Sequence, residues 1–94
     1  MAEAIVLIST ETSVRVDKDT YREVGLKEIF EKVAGMEEVK NLATVTGPYD
    51  IIAWLEADDI EEITGPLVDK IRAFKGVRQT LTNVVVRSRN YRIS

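Results

Sequence analysis

The sequence predicts an α+β fold whose strands and helices follow the order β-α-β-β-α-β. Short apolar runs rich in branched residues are typical of strands, and two segments with apolar residues three or four apart are typical of helices. A Gly-Pro pair at positions 47 and 48 predicts a turn between two strand-like segments. Right-handed crossovers arrange such a chain as a four-stranded antiparallel sheet with both helices on one face.

The first strand and the first helix lie in the N-terminal half. Residues 4–8 (Ala-Ile-Val-Leu-Ile) predict a buried strand, whereas the polar segment 11–19 could be a strand extension or a loop. Residues 20–23 (Thr-Tyr-Arg-Glu) match a capping box, which predicts a helix start there. Gly25 would cost that helix about 1 kcal/mol relative to Ala, so a start after Gly25 is the alternative. Gly35 is the predicted end.

The C-terminal half is predicted to contain a β-hairpin, then a second helix and a last strand. Residues 39–46 and 50–57 predict two strands that are antiparallel because their connection is short. Asp58 and Asp59 are suitable N-caps for a second helix. The Gly65-Pro66 pair predicts either a kink or a further helix that begins at Pro66. A last strand over residues 79–87 completes a ferredoxin-like βαββαβ domain spanning 1–94.

The composition excludes several classes of function. The chain has no Cys and no His, so disulfides, thiolate nucleophiles, histidine bases and the usual zinc sites are ruled out. We therefore expect no cofactor and no metal. The net charge of −3 argues against nucleic-acid binding, and the three arginines of the C-terminal tail are interpreted as a solvated end. Without a signal-peptide pattern or a membrane-spanning run, we expect a cytoplasmic protein.

The predicted strands carry apolar residues on both faces. Ile51 and Ile52 are adjacent, as are Val84 and Val85, although a sheet with one face in water would alternate apolar and polar residues. The face without helices therefore needs a cover. In a chain this short the best candidate is a second copy, which predicts a homodimer with the two sheets face to face.

Polar residues around the turn and on the last strand form the candidate site. Gly47 forces a turn, Asp50 places a carboxylate at the start of the next strand, and Thr80 and Thr82 point to one face of a strand. These groups could form a pocket for a small zwitterion. The same residues could also be a tight hairpin with polar strand ends.

Three sequence blocks resemble the Lrp/AsnC transcription regulators, specifically their amino-acid-sensing (RAM) domain. The blocks are residues 45–51 (Val-Thr-Gly-Pro-Tyr-Asp-Ile), residues 70–72 (Lys-Ile-Arg) followed by Gly76-Val77, and residues 78–82 (Arg-Gln-Thr-Leu-Thr). The resemblance implies a dimeric α/β barrel, dimers that assemble into rings, and an amino acid bound at the interfaces between dimers. Full-length members carry a preceding helix-turn-helix domain. Because only three residues precede Ala4, we expect a stand-alone sensing domain that does not itself bind DNA.

The resemblance also implies a role for each candidate residue. Gly47 would offer its backbone to the ligand carboxylate, Asp50 would pair with the ligand ammonium, and Tyr49 would line the site. Thr80 and Thr82 would supply hydroxyl or strand backbone groups, and Thr46 would lie at the strand end. Many members carry an acidic or amide residue in place of Pro48, which has no N–H to donate. The implied ligand-binding residues are Thr46, Gly47, Tyr49, Asp50, Thr80 and Thr82.

We therefore expect an amino-acid-sensing and oligomerisation module that is not an enzyme and regulates transcription indirectly, through full-length Lrp/AsnC regulators. One alternative is an enzyme on the same barrel, similar to small dimeric monooxygenases and dehydratases, although those often use a His or a metal. Another is a structural interaction protein with an empty pocket. An RNA-recognition module is disfavoured, because the first strand has no aromatic residue.

Overall fold

One antiparallel sheet with helices on a single face organises the chain. The computed structural model describes residues 1–11, 13–15, 21–23, 25–87 and 89. Its strands are β1 (Ala2–Thr10), β2 (Ser13–Arg15), β3 (Tyr21–Glu23), β4 (Val39–Thr44), β5 (Ile51–Ala57) and β6 (Val77–Val84); its helical segments are α1 (Leu26–Ala34), α2 (Ile60–Glu62), a π-helical turn (Ile63–Leu67) and α3 (Val68–Ala73).

The order of strands in the main sheet is β4-β5-β1-β6, and every neighbouring pair is antiparallel. This arrangement confirms the predicted ferredoxin-like fold. The last strand begins at Val77 and ends at Val84, earlier at both ends than predicted. β2 and β3 pair with each other in a separate two-stranded ribbon, which the local sequence patterns do not predict.

The core lies between the sheet and the helices, and side-chain alternation builds it. On β1 the buried residues are Ala4, Val6 and Ile8, and their partners on β5 are buried as well. Because successive strand residues point to opposite faces, these side chains share the face that the helices cover. The helical segments add further buried apolar residues to this layer: Ile29, Val33, Ile63, Leu67, Val68 and Ile71.

Helix α1 begins at Leu26, later than the capping box predicts. Gly25 precedes it with an extended backbone (φ −70°, ψ 148°), whereas Tyr21–Glu23 forms strand β3. The predicted start at residues 20–23 is therefore wrong, and the alternative start after Gly25 is correct. Pairing with β2 over three residues outweighs the local capping pattern. That partner, β2, comes from segment 11–19, which the sequence predicts as either a strand extension or a loop. Val16 and Thr20 lie outside the described residues.

The second helical region continues through Pro66. Asp59 caps it as predicted, because its Oδ1 accepts a hydrogen bond from the Glu62 N–H at 2.9 Å. Ile63–Leu67 then forms a π-helical turn with Pro66 inside it, so no separate helix begins at the proline. In an α-helix the proline ring clashes with the carbonyl four residues earlier. A π turn is wider, since its hydrogen bonds join residues five apart.

The opposite face of the sheet carries no helix among the described residues. Ile5, Leu7, Ile52 and Trp54 lie there and are half-buried, and Leu81 of β6 is 45% exposed. Leu7 is paired with both Ile52 and Leu81, so these side chains form a continuous apolar strip across three strands. We call this surface the open face. Within the described ranges, no helix combines the length and apolar character needed to cross a membrane.

Leu55→Ala should lower the free energy of unfolding by about 2–5 kcal/mol, because it leaves a cavity at a fully buried position opposite Ala4. Urea denaturation at a fixed protein concentration measures this change. Val86→Ala is the control, since Val86 is 94% exposed and its truncation should change stability by less than about 0.5 kcal/mol. Equal effects of the two substitutions would contradict the assigned core.

Candidate functional site

The turn between β4 and β5 is held by backbone geometry. The Val45 N–H donates to the Asp50 carbonyl at 2.9 Å, which closes the loop. Gly47 has φ +128°, a conformation that residues with a Cβ rarely adopt. Thr46, Gly47 and Pro48 are exposed. The turn therefore presents its backbone to solvent in a defined shape.

Asp50 connects this turn to the end of β1. Its Oδ2 accepts two hydrogen bonds from Thr10, one from the backbone N–H at 2.8 Å and one from the hydroxyl at 3.0 Å. The Asp50 N–H in turn donates to the Ile8 carbonyl at 2.9 Å. These contacts fix the position of the carboxylate. Thr10 is not among the predicted site residues, because no local pattern indicates a partner 40 residues away.

One oxygen of the Asp50 carboxylate is left available. Oδ1 has no hydrogen-bond partner among the described residues, and the side chain is half-buried rather than fully solvated. An ionised carboxylate accepts charge-assisted hydrogen bonds, which are stronger than neutral ones. This oxygen can therefore accept a hydrogen bond from an ammonium group. Tyr49, the preceding residue, is also half-buried.

Thr80 and Thr82 lie on edge strand β6. They pair with Ile8 and Val6, so their side chains share the helix-covered face. The Val85 N–H donates to the Glu3 carbonyl, so the backbone groups of Val85 point toward β1. In an antiparallel pair this orientation alternates from one residue to the next, so even-numbered residues of β6 point the other way. The backbone groups of Thr80 and Thr82 therefore point away from β1. No strand among the described residues pairs with β6 on that side.

The six candidate residues do not converge on one point of a single chain. Thr44, Ile51, Ile8 and Thr80 form one row across the sheet, from one edge to the other. Three strand spacings of about 4.8 Å place the ends of this row about 14 Å apart. Thr46 follows Thr44 at one edge, Thr80 and Thr82 lie at the other edge, and Asp50 lies between them.

A cavity lies beside each edge of the sheet. A cavity of about 650 Å³ beside the turn is lined by Leu26, Thr44, Val45 and Thr46. A cavity of about 350 Å³ beside β6 is lined by Arg72, Val77, Arg78, Gln79 and Thr80. The described part of the chain holds no group of three or more His, Cys, Asp or Glu side chains that could bind a metal ion.

Comparisons with known proteins support one family. The family model of the Lrp/AsnC ligand binding domain matches residues 3–93. TTHA0845 from Thermus thermophilus is 27% identical, has a TM-score of 0.72, and aligns over 97% of this chain and 100% of that one. The transcriptional regulator NMB0573 from Neisseria meningitidis, solved as an L-Met complex, is 20% identical with a TM-score of 0.69, over 96% of this chain and 53% of that one. Because NMB0573 is only 20% identical to this chain, the similarity to it shows a shared fold and nothing more.

A curated relative of a different kind also matches. Homocitrate synthase from Sulfolobus acidocaldarius is 31% identical over 75 residues, which cover 80% of this chain and 15% of that enzyme. The chain therefore spans about 15% of the length of the curated relatives it matches.

Thr10→Val should lower the free energy of unfolding by about 1–2 kcal/mol, because it removes a hydroxyl donor from the Asp50 carboxylate. Urea denaturation measures the loss. Thr64→Val is the matched control: the Thr64 hydroxyl bonds the Ile60 carbonyl at an exposed position, so its removal should have little effect. A Thr10 variant as stable as the Thr64 variant would show that this contact does not support the fold.

Proposed function

Because this chain belongs to the Lrp/AsnC ligand-binding domain family, we propose that it binds a free amino acid and regulates a partner protein without catalysing a reaction. The observation that supports this best is the Asp50 carboxylate. Thr10 holds one of its oxygens, and the other oxygen has no partner among the described residues. A carboxylate that is held in place through one oxygen, and that lies next to an exposed turn, can bind the ammonium group of an amino acid through its other oxygen.

The turn supplies the other contacts of the proposed site. Gly47 allows the backbone to approach the ligand carboxylate closely, since it has no side chain and adopts a positive φ. Thr46 lines the neighbouring cavity, and Tyr49 contributes an aromatic wall with a hydroxyl. The solved L-Met complex of a regulator with the same fold supports an amino acid as the ligand class.

A second chain would complete this site. Thr80 and Thr82 lie at the opposite sheet edge from Thr46, about three strand spacings away. The ammonium and carboxylate groups of an amino acid share one carbon, so they cannot reach both edges of the same sheet. Threonines of a neighbouring copy, whose backbone groups point outward from its own edge strand, would meet the turn of the first copy. Ligand binding would then depend on assembly.

The open face is the proposed dimer interface. Its half-buried Ile5, Leu7, Ile52 and Trp54 and the exposed Leu81 form one apolar surface across β5, β1 and β6. Monomeric proteins rarely expose large continuous apolar patches, because covering them is favourable. Two sheets packed face to face would bury this surface from both sides and give a dimeric α/β barrel. Contacts between such dimers would form the larger assembly that contains the ligand sites.

The proposed output is indirect control of transcription through full-length Lrp/AsnC regulators that share this domain. A second output is favoured by the matches to homocitrate synthases, which place a similar segment within a much longer enzyme. In that case the amino acid would adjust the activity of a biosynthetic enzyme. Affinity capture with tagged protein, in the presence and absence of the ligand, separates the two: a regulator is recovered in one case and an enzyme in the other.

Asp50→Ala should abolish the stabilisation that an amino acid confers on the wild-type protein. A ligand present at 100 times its dissociation constant raises the free energy of unfolding by about 2.7 kcal/mol, so thermal denaturation with each of the twenty amino acids at millimolar concentration detects it. Asp58→Ala is the control, because Asp58 is exposed and lies at the far end of β5. If the Asp50 variant keeps the same response, Asp50 is not a ligand contact. A flat wild-type panel would contradict amino-acid binding.

Leu81→Lys should convert the proposed dimer to a monomer, because it places a charge within the apolar strip of the open face, directly opposite Leu7. Sedimentation equilibrium at micromolar concentration measures the mass. Leu26→Lys is a matched control: Leu26 is 37% exposed, similar to Leu81 at 45%, but it lies on helix α1 on the other side of the sheet. The control should remain at least dimeric, and a monomeric wild-type protein would contradict the proposed interface.

A further inference from the structure

A basic cavity lies where the end of α3 meets the start of β6. It has a volume of about 350 Å³ and is lined by Arg72, Val77, Arg78, Gln79 and Thr80. Small-molecule pockets are typically about 300–1,000 Å³, so this cavity is large enough for a small ligand. We propose that it binds a small anion that carries carboxylate or phosphate oxygens, at a site centred on Arg72 and Arg78 that borders Thr80 of the proposed amino-acid site.

A β-bulge positions Arg78 in this cavity. Ser9 pairs with Gln79 while the next residue, Thr10, pairs with Val77, so β6 has one residue more than β1 over this step. The extra residue is Arg78, which has no partner on β1. Bulges redirect side chains and are frequent next to functional sites. The bulge explains why Arg78 and Gln79 are both exposed although they are consecutive strand residues.

The two guanidinium groups are available to a ligand. Neither Arg72 nor Arg78 forms an ion pair with a carboxylate of the described residues. Residues 68–80 contain four cations and a single carboxylate, Asp69, in a chain whose net charge is −3. Two further described carboxylates lie at this end. Glu11 has an exposed side chain and its backbone N–H bonds the Gly76 carbonyl, and Asp50 accepts two hydrogen bonds from Thr10, the partner of Val77. The four cations still outnumber the three carboxylates. The local charge therefore favours an anion.

The chemistry of the lining matches an oxyanion. A planar guanidinium binds two oxygens of a carboxylate or phosphate at once, and two arginines can bind such a group from two sides. Gln79 adds an exposed side-chain amide that can donate a hydrogen bond to the same group. Arginines on an edge strand also hinder pairing with other strands, but that role alone would not produce saturable binding of a small anion.

Binding of two probe anions tests the site directly. Inorganic phosphate and malonate are titrated separately into ¹⁵N-labelled full-length protein, with sodium chloride at the same ionic strength as the reference. We expect saturable shifts of the backbone amide signals of residues 72 and 77–80 with at least one probe. Shifts with phosphate alone identify a phosphorylated ligand, with malonate alone a carboxylate ligand, and with both a general oxyanion site. No saturable shift with either probe overturns the proposal.

Arginine variants connect the binding to the cavity. Arg72→Gln and Arg78→Gln should each weaken binding about tenfold or more, the loss expected for a charged hydrogen bond. Arg87→Gln is the matched control, because Arg87 is also exposed but lies beyond the other end of β6. Unchanged affinity in the Arg72 and Arg78 variants overturns the proposal. Asp50→Ala should bind the anions normally, so failure of the amino-acid site and failure of this site are distinguishable.

Discussion

The structure depends on the double pairing of β1, which hydrogen-bonds to β5 on one side and to β6 on the other. β5 in turn pairs with β4, so a central strand sets the register of the whole sheet. Because the side chains of β1 alternate, its even-numbered residues join the core with the helices and its odd-numbered residues form the open face. The apolar surface proposed as an interface therefore has the same origin as the core: one strand has two apolar faces, and the helices cover only one of them.

The contact between Asp50 and Thr10 extends this organisation to the candidate site. It connects the hairpin turn to the end of β1 through one carboxylate oxygen and leaves the second without a partner among the described residues. The same residue thus supports the two interpretations that the sequence leaves open, a polar strand end and a ligand contact. They are compatible, because the structural hydrogen bonds orient the carboxylate that a ligand would meet.

Local patterns predicted most of the fold. Short apolar runs rich in branched residues located the four main strands, and Asp59 was identified as a cap from its position before a helical segment. The prediction failed where a distant partner decides the outcome. Tyr21–Glu23 matches part of a capping box but forms a strand because β2 pairs with it. Two features near the candidate site could not be predicted for the same reason: the contact of Thr10 with Asp50 and the bulge at Arg78 both depend on the register of β1.

The π-helical turn at Ile63–Leu67 has a consequence for everything that follows it in the chain. Such a turn contains about one residue more than a turn of α-helix, and each α-helical residue corresponds to a rotation of about 100°. Deleting one residue there would rotate α3 by roughly that angle, so that Val68 and Ile71 would leave the core and charged neighbours would replace them. The angular position of Arg72 is thus fixed by an irregularity two turns upstream, and a relative with a regular helix at this point would present a different side chain to β6.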